Sequence, residues 1–126
     1  MKRRARLDGG QAVVELALTF PLVVLLLLAI VQVGLVVRDQ ILVVHASREA
    51  ARAGAVDSDP EAPRRAALGS SDLVGKRMSV EVGDRGGPGS TLRVVVNYRS
   101  PTEVPLLGAL LPDVGLRAVT TMRVEL

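Results

Sequence analysis

The sequence predicts an α+β protein in which one long N-terminal helix, membrane-crossing in its first part and protruding beyond it, packs on a small C-terminal antiparallel sheet. Three patterns carry this expectation. An uncharged run of 22 residues extends from Leu16 to Val37. A helical period continues beyond it to Ala55, and from Met78 the period changes to two.

Composition bounds the rest. The chain has 126 residues and 48% apolar composition, with one Phe, one Tyr and no Trp, which leaves room for one small domain beyond a membrane segment and none for a large catalytic core. Without cysteine, disulfides, thiolate metal sites and cysteine nucleophiles are excluded. The net charge of +3 is concentrated in the first eight residues, where Lys2, Arg3, Arg4 and Arg6 outweigh Asp8. From Gly9 onward twelve basic residues balance twelve acidic ones. A neutral body with so few aromatic rings lacks the basic, stacking surface that nucleic acid requires.

The basic head fits a membrane better. A helix over residues 16–37 is about 33 Å long, enough to cross a hydrocarbon layer of about 30 Å. A secretory signal has a shorter apolar region, about 7–15 residues, followed by a small-residue cleavage site. The nearest such site here, around Ala46 and Ala50, comes only after further amphipathic helix. Four basic residues precede the span, whereas Arg38 after it is followed at once by Asp39. That bias places the N-terminus in the cytoplasm and the C-terminal part outside the cell membrane. Pro21 and Gly34 are tolerated inside the span because lipid offers an unwound backbone no partner, and a bend is expected near Pro21. Gln32, the one amide in the run, is expected to serve a helix–helix contact.

Glu15 stands directly before the run. On spacing alone it is a hydrated carboxylate at headgroup level, spared most of the roughly 2.5–3.5 kcal/mol that a central charge costs. Gly9 and Gly10 alone read equally well as a flexible linker. Taken together, Lys2, Arg3, Arg4 and Arg6, then Gly10, Gln11 and Glu15 and a long apolar run, resemble the processing signal of type IV pilin-like precursors. More narrowly, GQAVVELALTFPLVVLLLL resembles the opening of TadE-like proteins, minor pilin-like components of tight-adherence (Flp) pilus systems, with Gly10, Ala12, Val14, Glu15, Ala17 and Pro21 in the matching places. HASREAARAGA, from His45 to Ala55, is similar to the small-residue, arginine-rich helix that follows the membrane in that family. Two positions depart from related patterns. Gln11 is polar where many mature pilin-like chains begin with an apolar residue, and Leu16 replaces the tyrosine usual in the main Flp pilins, which together with the long exterior part points away from the main fibre subunit.

The resemblance implies a pilin-like lollipop, cleavage by a prepilin peptidase between Gly10 and Gln11, and partners among other pilin-like subunits and Tad assembly membrane proteins. Such a cut would remove the basic leader and create an ammonium on Gln11, one helical turn from Glu15. That charge, from the same or an adjacent subunit, would offset the cost of drawing Glu15 into a low-dielectric bundle. The expected segments are a basic leader (1–10), a transmembrane and protruding helix (11–56, span 16–37), a linker with a short helix (57–76) and a three-stranded extracytoplasmic sheet (77–126).

In the protruding helix, Val43, Ser47, Ala50 and Gly54 share one face, and His45, Arg48, Glu49 and Arg52 another. Ala46, Ala50 and Gly54 permit close backbone approach, either to the chain's own sheet or to another subunit. His45 and Glu49 lie one turn apart, but no third metal ligand stands nearby, so they read as a solvated face. Ser58 or Asp59 is expected to cap a short helix with Pro60 in its first turn, ending at Gly69. Met78, Val80 and Val82 alternate with polar residues, as do Leu92, Val94, Val96 and Tyr98, with Val95 the exception. Leu116, Ala118, Thr120, Met122 and Val124 form a third such run. DRGGPGS, 84–90, supplies a loose hairpin loop between the first two strands. Between the second and third, Pro105 and Pro112 bracket LLGALL, which is either core beneath the sheet or an exposed patch for a neighbouring subunit or the membrane surface.

Enzymatic chemistry is not indicated. GSSDLVGK, 69–76, misses the phosphate-loop spacing and has Arg77 in place of the needed Ser or Thr. GDRGGPG opens no helix, and a single histidine has no supporting nucleophile. No cofactor is expected. Two further readings stay open: a membrane-anchored exterior binding domain without leader cleavage, and an ordinary secreted domain.

Overall fold

The computed structural model describes residues 4–125, with side chains from Gly9 onward. Lys2 and Arg3 of the basic leader lie outside the described residues. Helix α1 runs unbroken from Arg4 to Val56 and passes through Pro21. It includes Gly9 and Gly10, so the backbone is helical where a flexible linker was an alternative. The short helix α2 spans Ala62–Gly69, and one turn of 3-10 helix, Gly75–Arg77, leads into the sheet. Strands β1 (Met78–Val82), β2 (Thr91–Ser100) and β3 (Val114–Arg123) form an antiparallel sheet in the order β1-β2-β3.

The register explains the alternation in the sequence. Met78 pairs with Tyr98, Val80 with Val96 and Val82 with Val94, while Leu92 pairs with Met122, Val96 with Ala118 and Tyr98 with Leu116. These apolar partners therefore share one face, since side chains two apart along a strand point the same way. That face meets α1. Leu92, Val94, Val96 and Tyr98 are buried together with Val43, Ala46, Ala50 and Ala51 of the helix and Ala67 of α2. Val95 sits on the opposite face, between Glu81 and Val119, and is nevertheless only 7% exposed.

Strand β2 runs back along the helix. At one end Leu92 approaches Gly54; at the other Ser100 Oγ donates to Asp39 Oδ2 at 2.7 Å. Fifteen helical residues rise about 22 Å and eight strand residues about 26 Å, so helix and strand stay matched over their whole contact. Strand β3 returns in the helix direction. Gln40 Nε2 donates to the carbonyl of Arg117 at 3.4 Å, the Ser47 and Thr120 hydroxyls bond each other at 2.7 Å, and the Glu125 amide reaches the Ala55 carbonyl at 3.1 Å. The loop joining β2 to β3 thus lies at the end of the sheet nearest the apolar half of α1.

The short helix starts later than its sequence signals. Asp59 does not cap it through Pro60; its carboxylate accepts the Glu61 amide at 2.9 Å in a preceding turn, and Pro63 occupies the first helical turn. The reason is Pro63 itself. In a helix beginning at Pro60 it would fall where the first internal N–H donor is required, whereas one turn from the start that donor is dispensable. Asp59 is held below the usual carboxylate range by the Glu61 amide and by Arg65, whose guanidinium lies 2.7 Å away.

Candidate functional site

The first half of α1 is the feature that a soluble fold does not explain. Val13, Leu16, Leu18, Phe20, Leu22 and Leu26 are each more than half exposed, and exposed residues occur on every side of the helix from Gly9 to Val23. Only 6% of its most apolar stretch is buried inside the protein. A core helix of a soluble domain would be mostly covered, because apolar surface left in water forgoes about 25 cal/mol per Å². By length and composition this helix can cross a membrane.

At its amino end, Gly10, Gln11 and Glu15 are all exposed. A β-carbon built on Gly9 or Gly10 would meet nothing within 4 Å, so packing does not account for either glycine. Gln11 and Glu15 stand one turn apart on the helix, and the Thr19 hydroxyl donates to the Glu15 carbonyl at 2.8 Å, continuing the same side of the helix.

Contact with the domain begins sooner than the charge pattern implies. The free apolar helix does not persist to Val37: Leu28 and Ala29 are half-buried and Gln32 is 6% exposed. Within the chain Gln32 meets a loop. Its Nε2 donates to the Pro101 carbonyl at 3.5 Å, and its Oε1 has no partner among the described residues. Two turns on, Asp39 lies beneath Ser100 and beside Arg38 at 3.5 Å. Alternation alone could not reveal this seam, although an acid following an apolar run so closely was its one sequence signal. Farther along, Ala46 and Ala50 are fully buried. A methyl at Gly54 would lie 2.5 Å from Leu92 Cδ2 and 2.9 Å from Pro63 Cγ. These three residues face the chain's own sheet and α2.

The β2–β3 loop divides between the two readings of its sequence. Val104 and Leu107 are buried, whereas Leu106, Leu110 and Leu111 are 63%, 72% and 51% exposed. Its neck is closed by the Thr102 hydroxyl donating to the Pro112 carbonyl at 3.1 Å and by Arg77 paired with Asp113 at 3.0 Å. Arg77, helped by the Thr102 amide, holds Asp113 below the usual carboxylate range. Inside the neck the Leu111 amide bonds the Leu107 carbonyl at 2.8 Å. Gly108 is required there, since a β-carbon would stand 2.8 Å from the Thr102 carbonyl oxygen.

His45 is exposed on the helix flank, and among the described residues no three His, Asp or Glu side chains gather as metal ligands. Segment 69–76 runs from the end of α2 into the 3-10 turn, with no strand before it.

Compared with known families, residues 10–52 match the family model described as TadE-like protein. No curated protein and no solved structure matches the chain. The family match covers 43 of 126 residues, beginning at Gly10, taking in Glu15 and the exposed helix, and ending between Ala50 and Gly54. Over its membrane-compatible helix, the chain is similar to TadE-like proteins.

Proposed function

We propose that this chain is a single-pass, pilin-like membrane protein, an assembly or minor component of a Tad/Flp-type pilus, processed by a prepilin peptidase between Gly10 and Gln11. The observation that carries the reading is an apolar helix left bare on all sides, within a segment that matches the TadE-like family from Gly10 onward. The N-terminus lies in the cytoplasm, as Lys2, Arg3, Arg4 and Arg6 favour, and the sheet domain is extracytoplasmic.

The local physics supports a cut at that place. Two adjacent helical glycines weaken α1 by roughly 1 kcal/mol each relative to alanine, so the turn around Gly9 and Gly10 is cheap to unwind for a protease. Without side chains they also let it approach the backbone closely. The new ammonium on Gln11 neutralises Glu15 as the helix is drawn among others of its kind. Signal-peptidase cleavage near Ala46 or Ala50 is disfavoured for a different reason: it would strip Val43 and Ala46 from the core of the exterior domain.

Intact-mass measurement of the protein from cells with and without a prepilin peptidase tests the proposal. Loss of residues 1–10 only when the peptidase is present is the expected result. An uncut chain in both would leave the alternative, a membrane-anchored exterior binding domain.

A further inference from the structure

We infer that the loop between β2 and β3 is a second membrane contact, with Leu106, Leu110 and Leu111 entering the lipid surface on the exterior side. The inference rests on the membrane-spanning reading of α1 and adds a depth to it.

The position of the loop follows from its attachment. Strand β2 runs toward the apolar half of the helix, and the carbonyl of Pro101 receives Gln32. Gln32 precedes the end of the uncharged run, Val37, by five residues, about 7.5 Å along the axis. The loop therefore sits alongside the last part of the span, not above it. If the bilayer ended below the loop, the helix from Leu16 to Val31 would cover at most about 24 Å of a roughly 30 Å hydrocarbon layer. Glu15 would then have to enter the hydrocarbon to make up the difference. Letting the loop into the interface instead keeps the whole run from Leu16 to Val37 at membrane depth, and an apolar surface can be buried about 5–10 Å into the headgroup and acyl boundary.

The loop is built for that position. Val104 and Leu107 anchor it to the protein, while three leucines point away and are more than half exposed. Leu106 is held at φ 69°, a left-handed conformation that costs a leucine energy and here gains no burial within the chain. At the same level of the helix Ile30, Val31 and Val33 are likewise exposed. The leucines need no charge to enter lipid, although Lys76 and Arg99 stand beside the Arg77–Asp113 pair and Glu103 adds a negative charge. Neutral phosphatidylcholine is therefore a sufficient partner.

The full chain contains no tryptophan, so single tryptophans report depth directly. Three variants, Leu27→Trp in the bare helix, Leu110→Trp in the loop and Thr121→Trp on the outer face of the sheet, are reconstituted into phosphatidylcholine vesicles. The vesicles carry bromines either near the headgroup end or near the end of the acyl chain. The expected result is loss of emission at Leu27→Trp with the deep bromines, loss at Leu110→Trp mainly with the shallow ones, and none at Thr121→Trp. Quenching of Leu27→Trp while Leu110→Trp behaves like Thr121→Trp would overturn the loop contact and leave the span intact. An unquenched Leu110→Trp whose emission shifts to the blue as protein is crowded in the vesicle would assign the leucines to a second copy and also overturn it. Failure of quenching at Leu27→Trp would remove the spanning helix and the loop contact together.

Discussion

Gly54→Ala tests how closely the helix lies on the sheet. The added methyl would stand 2.5 Å from Leu92 Cδ2 and 2.9 Å from Pro63 Cγ, where relaxed carbon contacts are about 3.5–4.0 Å. Relief of roughly 1 Å is needed on both sides at once. The Leu92 methyl could rotate, but that side chain is fully buried on the central strand. The Pro63 ring cannot rotate away, because it is fixed in the first turn of α2. Overpacking of this kind costs about 1–3 kcal/mol, against roughly 1 kcal/mol returned by replacing glycine with alanine inside a helix. The expected net loss is about 1 kcal/mol. Leu92→Val alone should cost about 1 kcal/mol by leaving a small void, yet in the Gly54→Ala background it should cost almost nothing, because it vacates the space the methyl needs. Urea unfolding of the full chain in detergent micelles, followed by the fluorescence of Tyr98, supplies the four stabilities. Tyr98 is the sole tyrosine and is 5% exposed, so it reports the core between sheet and helix and not the bare apolar segment. A Gly54→Ala protein as stable as the parent, or strictly additive losses in the pair, would refute the packing argument.

Two other predictions concern polar contacts at the two ends of the domain. Ser100→Ala removes the donor to the buried Asp39 carboxylate, and the same Tyr98 assay should show a loss of about 1.5–3 kcal/mol, as expected for a hydrogen bond to a charged group; an unchanged midpoint would mean the pair contributes nothing. Asp113 and Asp59 have folded pKa values held below the usual range, so their stabilisation is present above about pH 4 and is lost as pH falls through those lowered values. Acid titration should show the loss, and Asp113→Asn should make the profile less steep; a variant with the parental profile would disprove the contribution of the Arg77 pair.

Much of the fold was legible locally. The length of the uncharged run specifies a helix able to span, and alternation in three short segments, broken only at Val95, specifies both the strands and the face each one chiefly buries. Those properties are set by neighbours two to four residues apart, which a sequence displays directly. The short helix shows the limit of reading signals singly: Asp59 and Pro60 are good starters, but Pro63 moves the start to Ala62. At the amino end, Gly10, Gln11 and Glu15 are recognisable by type and spacing, while any event at that bond depends on a second protein.

The sequence alone thus determined an apolar helix, a polar turn and a sheet with one oily face, because backbone geometry converts residue spacing into sidedness. Only the tertiary structure decided that contact with the domain begins near Leu28 and Gln32, that Asp39 lies under Ser100, and that LLGALL buries Leu107 but bares Leu106, Leu110 and Leu111. Each of these depends on segments some sixty to eighty residues apart. Where the returning strand meets the helix is set by the match of their lengths and by the bulk of facing side chains, quantities that no local pattern encodes.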